Sequence, residues 1–193
     1  LVGSEMCIRD RGFTPDDRYI LGEASELKNF FVAAGFNSVG IQSAGGAGMV
    51  LAEWMETGNA PIDLWDVDIR RMQPFQANCS YLRTRVSETL GLLYADHFPY
   101  RQFASARGVR RSPIHHYLAD QGACFGEVSG WERANWFLPE EAVNAGKTAA
   151  YEYSWKRQNW FDYSAAEHLA VRQSVGLFDM SSFGKIKLVG RDA

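Results

Sequence analysis

A glycine-rich segment, residues 37–48 (NSVGIQSAGGAG), constrains the fold of this chain more than any other feature. It follows an apolar run, Phe30 to Gly35, which the pattern assigns to a buried strand or to the last turn of a short helix, and it leads into a predicted helix, Ala44 to Met55. Glycine lets backbone approach a ligand closely, and the free N–H groups and dipole of a helix start favour negative charge. The segment therefore predicts an anion-facing helix N-terminus.

The predicted helix has a start signal in Ser43 and an end signal in Gly58. Met49, Val50 and Trp54 have the spacing of one buried helix face.

Two explanations of the glycines remain open at this point. A nucleotide phosphate loop would need G-x-G-x-x-G and a later acidic residue for the ribose, whereas Gly40, Gly45, Gly46 and Gly48 have another spacing. Tight packing of the helix against a neighbouring element explains the same glycines about equally well.

Charge and composition exclude several classes of protein. The 20 basic and 23 acidic residues are interspersed and give a net charge of -3, so no basic run is available for nucleic acid. No apolar run reaches the roughly 20 residues needed to cross a bilayer. Cys7, Cys79 and Cys124 are too far apart for a disulfide framework or zinc site. This cysteine usage indicates a reducing compartment, the cytoplasm or the mitochondrial matrix of a eukaryote.

Further elements are predicted along the rest of the chain. Before residue 100 they are a strand at Ile20-Leu21 and a helix from Tyr81 to Tyr94. The buried side of this helix is predicted to carry Leu82, Val86, Leu90 and Leu93. Later in the chain they are a short helix from Ile114 to Gln121, a strand from Cys124 to Gly130, a loop-like stretch from Trp131 to Tyr153, a helix from Ala165 to Val175 and a final strand from Lys185 to Val189.

Residues 35–46 (GFNSVGIQSAGG), together with residues 13–16 (FTPD), resemble the C-terminal flavin motif of the D-amino-acid-oxidase superfamily. The similarity is greatest to dimethylglycine and sarcosine dehydrogenases, where this loop lies beside the flavin ring. The resemblance implies that Gln42 lies near the substrate carboxylate, although related sarcosine oxidases carry Lys there. It implies that FAD is lined by Phe36, Asn37, Ser38, Val39, Gly40, Ile41, Gln42 and Ser43.

The following segments resemble later parts of the same enzymes. Residues 66–72 and 94–108 are similar to the central domain. Residues 112–114, 126–136, 167–172 and 175–185 are similar to the start of the glycine-cleavage aminomethyltransferase domain, which binds tetrahydrofolate. By this resemblance Phe183 lines the folate, and its alternative is an ordinary core position.

The resemblance implies a mixed α/β and α+β fold in three pieces. Residues 12–60 would be the C-terminal end of the FAD-dependent oxidoreductase domain, residues 61–111 its central domain, and residues 112–193 the truncated N-terminal part of the folate-binding domain. Residues 1–11 (LVGSEMCIRDR) resemble a translated adapter scar of environmental sequence reads and are expected to be non-native.

The implied activity is that of a flavoprotein of one-carbon metabolism. The parent enzyme would oxidise an N-methylated amino acid, such as dimethylglycine or sarcosine, by hydride transfer to FAD, and would pass the one-carbon unit to tetrahydrofolate. Electrons would leave to an electron-transfer flavoprotein or to oxygen. No catalytic residue and no metal ligand set is identified, and the fragment alone is expected to have no turnover and to hold no FAD.

Two rival functions stay open. One is a non-catalytic folate-binding or partner-binding module, and the other is an aminomethyltransferase with an unrelated N-terminal extension.

Several conspicuous side chains have ordinary structural explanations. We expect surface or interdomain ion pairs for Arg70-Arg71 and Arg110-Arg111. The four tryptophans Trp131, Trp136, Trp155 and Trp160 are expected to be buried beside cations whose stems lie along them. His97, His115, His116 and His168 have no second ligand at metal spacing.

Overall fold

The computed structural model describes residues 12–191, which fall into two compact units that divide between His97 and Phe98. The segment 1–11, expected to be non-native, lies outside the described residues. None of the described helices is both long enough and apolar enough to cross a membrane. The described residues form helices and two small antiparallel sheets, so the expected mixture of α and β structure is confirmed at this level.

The first unit opens with a hairpin. Strand β1 (Ile20–Glu23) pairs antiparallel with β2 (Phe31–Ala34), with Ile20 opposite Ala34 and Glu23 opposite Phe31. Both strands were predicted, and the helical alternative for the second is excluded. Strand β2 is nevertheless half-buried to exposed rather than buried, because it is the outer strand: β1 is also flanked on its other side, where Leu21 N–H donates to the Val67 carbonyl.

Helix α1 (Gly40–Thr57) is longer than predicted. It begins four residues before Ala44, so Ser43 is not its cap: the Ser43 N–H already donates to the carbonyl of Val39, at 3.1 Å. Its end is as predicted, since Gly58 is left-handed (φ 79°) and its N–H donates to the Trp54 carbonyl.

The core of the first unit lies under α1. Ala47, Val50 and Trp54 pack there with Leu21 and Leu64. The prediction for Val50 and Trp54 is confirmed, whereas Met49 is 65% exposed because it lies on the opposite side of the helix.

Two 3-10 turns, Ile69–Arg71 and Pro74–Ala77, precede helix α2 (Cys79–Tyr94), which Asn78 caps by accepting from the N–H groups of Ser80 and Tyr81. The buried side of α2 carries Tyr81, Arg85 and Thr89. The expected apolar side, Leu82, Val86, Leu90 and Leu93, is only half-buried.

That correction has a physical reason. The buried polar side chains have partners inside the unit: the Thr89 hydroxyl lies within hydrogen-bond distance of the Arg85 and Pro15 carbonyls. The Arg85 guanidinium also lies over the Tyr81 ring, 5.5 Å from its centroid.

The second unit is built on another hairpin. Helix α3 (His115–Asp120) leads into β3 (Ala123–Val128), which pairs antiparallel with β4 (Trp131–Phe137) with an irregularity at Cys124/Phe125. Helices α4 (Glu140–Asn144) and α5 (Phe161–Gln173) follow. The prediction of α3 and β3 is confirmed, and the loop predicted over Trp131 to Tyr153 is wrong because it contains β4 and α4.

The core of this unit contains Cys124, Trp136 and Leu138, with Val143 and Tyr163 packed against them. Trp136 and Tyr163 stack with ring centroids 5.5 Å apart. Helix α5 thus lies against β4, and its start four residues before the predicted Ala165 gives it the first turn that carries Tyr163.

The predicted strand Lys185 to Val189 is wrong, since residues 174–191 contain no strand. A strand requires backbone partners on a neighbouring strand, and the described part of the second unit presents none to this segment. Its apolar side chains are accordingly exposed: Ile186 is 96% and Leu188 78% accessible.

Candidate functional site

The loop before helix α1 is held in place by the buried side chain of Asn37, which is 2% exposed. The Thr14 N–H donates to Asn37 Oδ1 at 2.8 Å, and Asn37 Nδ2 donates to Thr14 Oγ1 at 3.0 Å. Asn37 and Ser38 both adopt left-handed backbone, with φ of 46° and 69°. Asparagine tolerates this conformation better than most residues do, so sequence and local structure agree at this turn.

The loop presents only part of its predicted flavin-lining set to the outside. Phe36 stacks on Tyr19, with centroids 4.9 Å apart, and Asn37 is turned inward. Val39, Gly40 and Ser43 are half-buried. Exposed positions are Ser38, Ile41 and Gln42, with Ile41 76% accessible.

The first turn of α1 has free backbone donors. The N–H groups of Gly40, Ile41 and Gln42 precede the first helical hydrogen bond, which Ser43 makes. No acidic residue lies in this turn and no side chain caps it, although the structure describes all of it. The positive end of the helix dipole is therefore available to an anionic group, as the glycine-rich segment predicts.

The glycines of α1 lie on an open face. A Cβ atom placed on Gly45, Gly46 or Gly48 would meet no described atom within 4 Å. Tight packing within the described part of this unit therefore does not explain them. A smooth helix face beside free N–H donors fits a flat anionic cofactor, because backbone and ligand can come close there.

The neighbouring arginines form ion pairs within the first unit. Arg71 Nε lies 2.7 Å from Asp16 Oδ2, Arg70 pairs with Asp68 at 2.5 Å, and Arg18 pairs with Asp66. Burial would raise the pKa of Asp68, but the hydrogen bonds from Arg70 outweigh it and hold that pKa below its ordinary value. The structural explanation expected for Arg70-Arg71 is confirmed.

In the second unit Phe183 lies on a turn and is 46% exposed, with the Arg133 guanidinium 4.8 Å from its ring centroid. It is not a core residue. The turn is held by Lys185, whose Nζ donates to the carbonyls of Met180, Ser181 and Phe183 at 2.7–2.9 Å. No pattern in the sequence indicates this role of Lys185, because the three acceptor carbonyls converge only through the turn.

The second unit also contains a cleft of about 620 Å³ that the sequence did not predict. Half of its lining residues are aromatic: Phe98, Tyr100, Trp136, Tyr151, Tyr153, Trp155 and Trp160. The expectation of four buried tryptophans is correct for Trp136, at 2% exposed, and wrong for Trp155, at 83%. Trp155 packs on Phe98 at the cleft instead, with centroids 4.9 Å apart.

The histidines form no metal site: among residues 12–191 no three His, Cys, Asp or Glu side chains are grouped to hold an ion. His115 stacks on Phe125 with centroids 4.2 Å apart, and burial lowers its pKa. This is the packed histidine that the sequence indicates.

Comparison with known proteins identifies two consecutive domains. Residues 57–112 match the family model described as FAD dependent oxidoreductase central domain, and residues 114–193 match GCVT N-terminal domain.

Three curated relatives align with most of this chain. A 4-methylaminobutanoate oxidase (formaldehyde-forming) of Paenarthrobacter nicotinovorans is 50% identical over 94% of this chain and 21% of its own. The mitochondrial sarcosine dehydrogenase of Mus musculus is 36% identical over 100% of this chain and 23% of its own length. The mitochondrial pyruvate dehydrogenase phosphatase regulatory subunit of Mus musculus is 36% identical over 91% of this chain and 20% of its own length.

These matches define a class of protein in which an FAD-linked oxidoreductase domain precedes a GCVT domain. Within it, this chain is similar over nearly all of its length to sarcosine and dimethylglycine dehydrogenases and to 4-methylaminobutanoate oxidase. It spans about a fifth of the length of the curated relatives it matches. An aminomethyltransferase with an unrelated N-terminal extension is excluded, because the similarity to flavin-linked relatives runs through residues 57–112 and covers 94% of the chain.

Proposed function

We propose that the whole protein is an FAD-dependent oxidoreductase that oxidises the N-methyl group of an amino acid and passes the one-carbon unit to tetrahydrofolate. The observation that carries this proposal is the direct succession of the two matched domains in one chain, at residues 57–112 and 114–193. An oxidoreductase domain alone would account for the oxidation, and the adjoining domain accounts for the fate of the product.

The proposal assigns residues 12–60 to the C-terminal end of the FAD domain, residues 61–111 to its central domain and residues 112–193 to the folate-binding domain. The open glycine face of α1 supports the first assignment, since it would be left without a function if no ligand or neighbouring domain covered it.

We assign Phe36 to Ser43 to the flavin site with different roles. Bound FAD would supply the acceptor for a hydride from the N-methyl carbon, and negative charge would develop on the flavin. The N–H groups of Gly40, Ile41 and Gln42 would stabilise that charge, because fixed donors aimed at developing charge need no reorganisation. Asn37 acts as a positioning residue, since its side chain binds Thr14 and sets the loop.

In the second unit the proposal gives Phe183 contact with the folate. Its half-exposed ring, backed by Arg133, presents an apolar face suited to a flat ligand. The Lys185 ammonium would keep the ring in place by holding the turn.

The test uses the whole protein, mixed anaerobically with sarcosine, dimethylglycine or 4-methylaminobutanoate. We expect one of these amines to bleach the visible absorption of oxidised flavin. Admitting oxygen or an electron-transfer flavoprotein then shows which acceptor restores it, and assays for 5,10-methylenetetrahydrofolate and formaldehyde follow the one-carbon unit. A whole protein that binds no flavin, or whose flavin none of the amines reduces, would contradict the proposal.

A second candidate is a non-catalytic regulatory protein, which is favoured by the 36% identity to a phosphatase regulatory subunit. In that case the flavin loop would be a remnant. Flavin binding without reduction by any N-methyl amine would favour this candidate.

A further inference from the structure

The aromatic cleft of the second unit has features that core packing does not require. We propose that it is a binding site for a planar aromatic carboxylate. The inference does not depend on the proposed function, because Phe183 is not among the residues that line the cleft.

The apolar part of the cleft suits a flat ring. Phe98 and Tyr153 lie nearly parallel, with centroids 5.9 Å apart, and Tyr151 and Tyr153 continue the row at 5.8 Å. Trp155 closes one side against Phe98 while remaining 83% exposed. Exposing a large indole to water is unfavourable, and a ring stacked on it would remove that surface from water.

Three of the polar groups that line the cleft can donate hydrogen bonds to a ligand. The Tyr153 hydroxyl accepts from the Gln102 N–H at 2.8 Å, and the Tyr151 hydroxyl accepts from Asn135 Nδ2 at 2.6 Å. Each phenol is thereby left with its own O–H to donate. The indole N–H of Trp136, at the most buried position of the lining, has no acceptor among the described residues. Such a set calls for a ligand with acceptor oxygens.

The charge of the cleft selects an anion. Lys156 lines it, and no Asp or Glu side chain of the described chain does so. This argues against an N-methylated ammonium ion, which aromatic cages also bind, because a cation would meet Lys156 without a compensating carboxylate.

The wall that carries these donors is built rigidly onto the hairpin. The side chains of Asn135 and Gln102 lie over Gly126, where a Cβ atom would come within 2.2 Å of Asn135 Nδ2. Gln102 also accepts from the Glu127 N–H at 3.0 Å. The two phenols are therefore set before any ligand arrives, which lowers the entropy cost of binding.

The test is isothermal titration calorimetry of the 193-residue chain with 2-naphthoate, with the neutral 2-naphthamide and the cation benzyltrimethylammonium as matched probes. We expect saturable binding of 2-naphthoate, weaker binding of the amide and none of the cation. Lys156→Gln should weaken 2-naphthoate roughly threefold to fivefold, as for a solvent-exposed charge pair, and leave the amide unchanged. Tyr151→Phe, which keeps the ring, should weaken 2-naphthoate about tenfold.

Lys147→Gln and Tyr117→Phe are the matched controls, because both residues lie outside the cleft lining. They, and Phe183→Ala, should bind as the unchanged chain does, and circular dichroism checks that every variant folds. Titration with 4-aminobenzoyl-L-glutamate, whose carboxylates are linked to the ring through an amide, is compared with 2-naphthoate, whose carboxylate is attached to the ring directly. The comparison shows which of the two kinds of aromatic acid the cleft prefers. The proposal is overturned if 2-naphthoate gives no saturable heat up to about 1 mM, if the cation binds better, or if cleft and control variants bind alike.

Discussion

Thr14 and Asn37, 23 positions apart in the chain, exchange hydrogen bonds in both directions behind the loop that leads into α1. The same asparagine takes a left-handed backbone conformation, and its N–H donates to the Gly12 carbonyl at 3.1 Å. One buried residue thus fixes both the path of the loop and its attachment to the start of the described chain.

Replacing Asn37 separates these two contributions. We expect Asn37→Ala to destabilise the first unit by about 2–4 kcal/mol, since it leaves Thr14 without its partner and puts at positive φ a residue that tolerates this conformation less well than asparagine. Asn37→Gly should recover about 1 kcal/mol, because glycine accepts that φ. Hydrogen exchange of the α1 amides measures both. Unchanged protection in both variants would show that the pair does not hold the loop.

The glycines of α1 allow a test in two contexts. In the 193-residue chain, Gly45→Ala and Gly46→Ala should each stabilise the helix by roughly 0.5–1 kcal/mol, because the added methyl meets nothing. In the whole flavoprotein the same changes should weaken FAD binding. Gly91→Ala in α2, where a Cβ atom also meets nothing, is the control and should leave FAD binding unchanged. Equal FAD affinity in all three variants would count against a flavin at this face.

The pair Arg107–Glu132 gives a pH-dependent contribution to stability. Glu132, whose side chain is 5% exposed, accepts from Arg107 Nε at 2.8 Å and from the Gly108 N–H at 2.6 Å. Burial would raise the pKa of Glu132, but these bonds outweigh it and hold the pKa below its ordinary value.

A carboxylate whose folded-state pKa is lowered contributes stability above its unfolded pKa, about 4.3, and loses it as the pH falls through the lower folded value. Urea unfolding between pH 7 and 3 should therefore show a steeper acid loss for the unchanged chain than for Glu132→Gln. That variant should also be about 2–4 kcal/mol less stable at pH 7, because Arg107 loses its partner. Exposed Glu152→Gln should follow the unchanged chain throughout.

The described thiols should differ in reactivity. Burial raises the pKa of Cys124 to about 11, and the residue is 3% exposed, whereas Cys79 is exposed. In a Cys7→Ser chain at pH 8, a disulfide reagent should modify Cys79 quickly and Cys124 only on unfolding, since the thiolate is the nucleophile. Peptide mass spectrometry identifies the site. Rapid labelling of Cys124 would mean that the hairpin core opens readily.

The 193-residue chain alone should not retain FAD. Its described residues would supply one side of the proposed flavin site, the loop 36–43, and they contain no strand, G-x-G-x-x-G loop and helix for the dinucleotide. After incubation with FAD and desalting we expect a colourless protein. A yellow protein that N-methyl amines bleach would contradict this expectation.

Local signals in the sequence predicted α1, its glycine stop, both strands of the first hairpin and β3, because these depend on neighbouring residues. The start of α1 was missed because Val39 begins it without a capping side chain. The buried side of α2 was missed for a different reason: Arg85 and Thr89 are buried by contacts with backbone and an aromatic ring, which periodicity of apolar residues does not record.

The candidate site was predicted unevenly. The resemblance points to the loop 36–43, but it does not indicate that Asn37 faces inward, since this depends on Thr14. The aromatic cleft was not predicted, because Phe98 and Tyr153 are 55 positions apart and meet only in the folded unit.

The open glycine face of α1 has a consequence for how this sequence changes over evolutionary time. Within the described fold alanine would be preferred at Gly45, Gly46 and Gly48, so folding alone does not maintain them. On the proposed function, a lineage that gave up flavin binding should let these glycines drift to larger residues earlier than the Thr14–Asn37 pair, which the described fold uses. The two sets of positions would then record separately whether a descendant still folds and whether it still holds a cofactor.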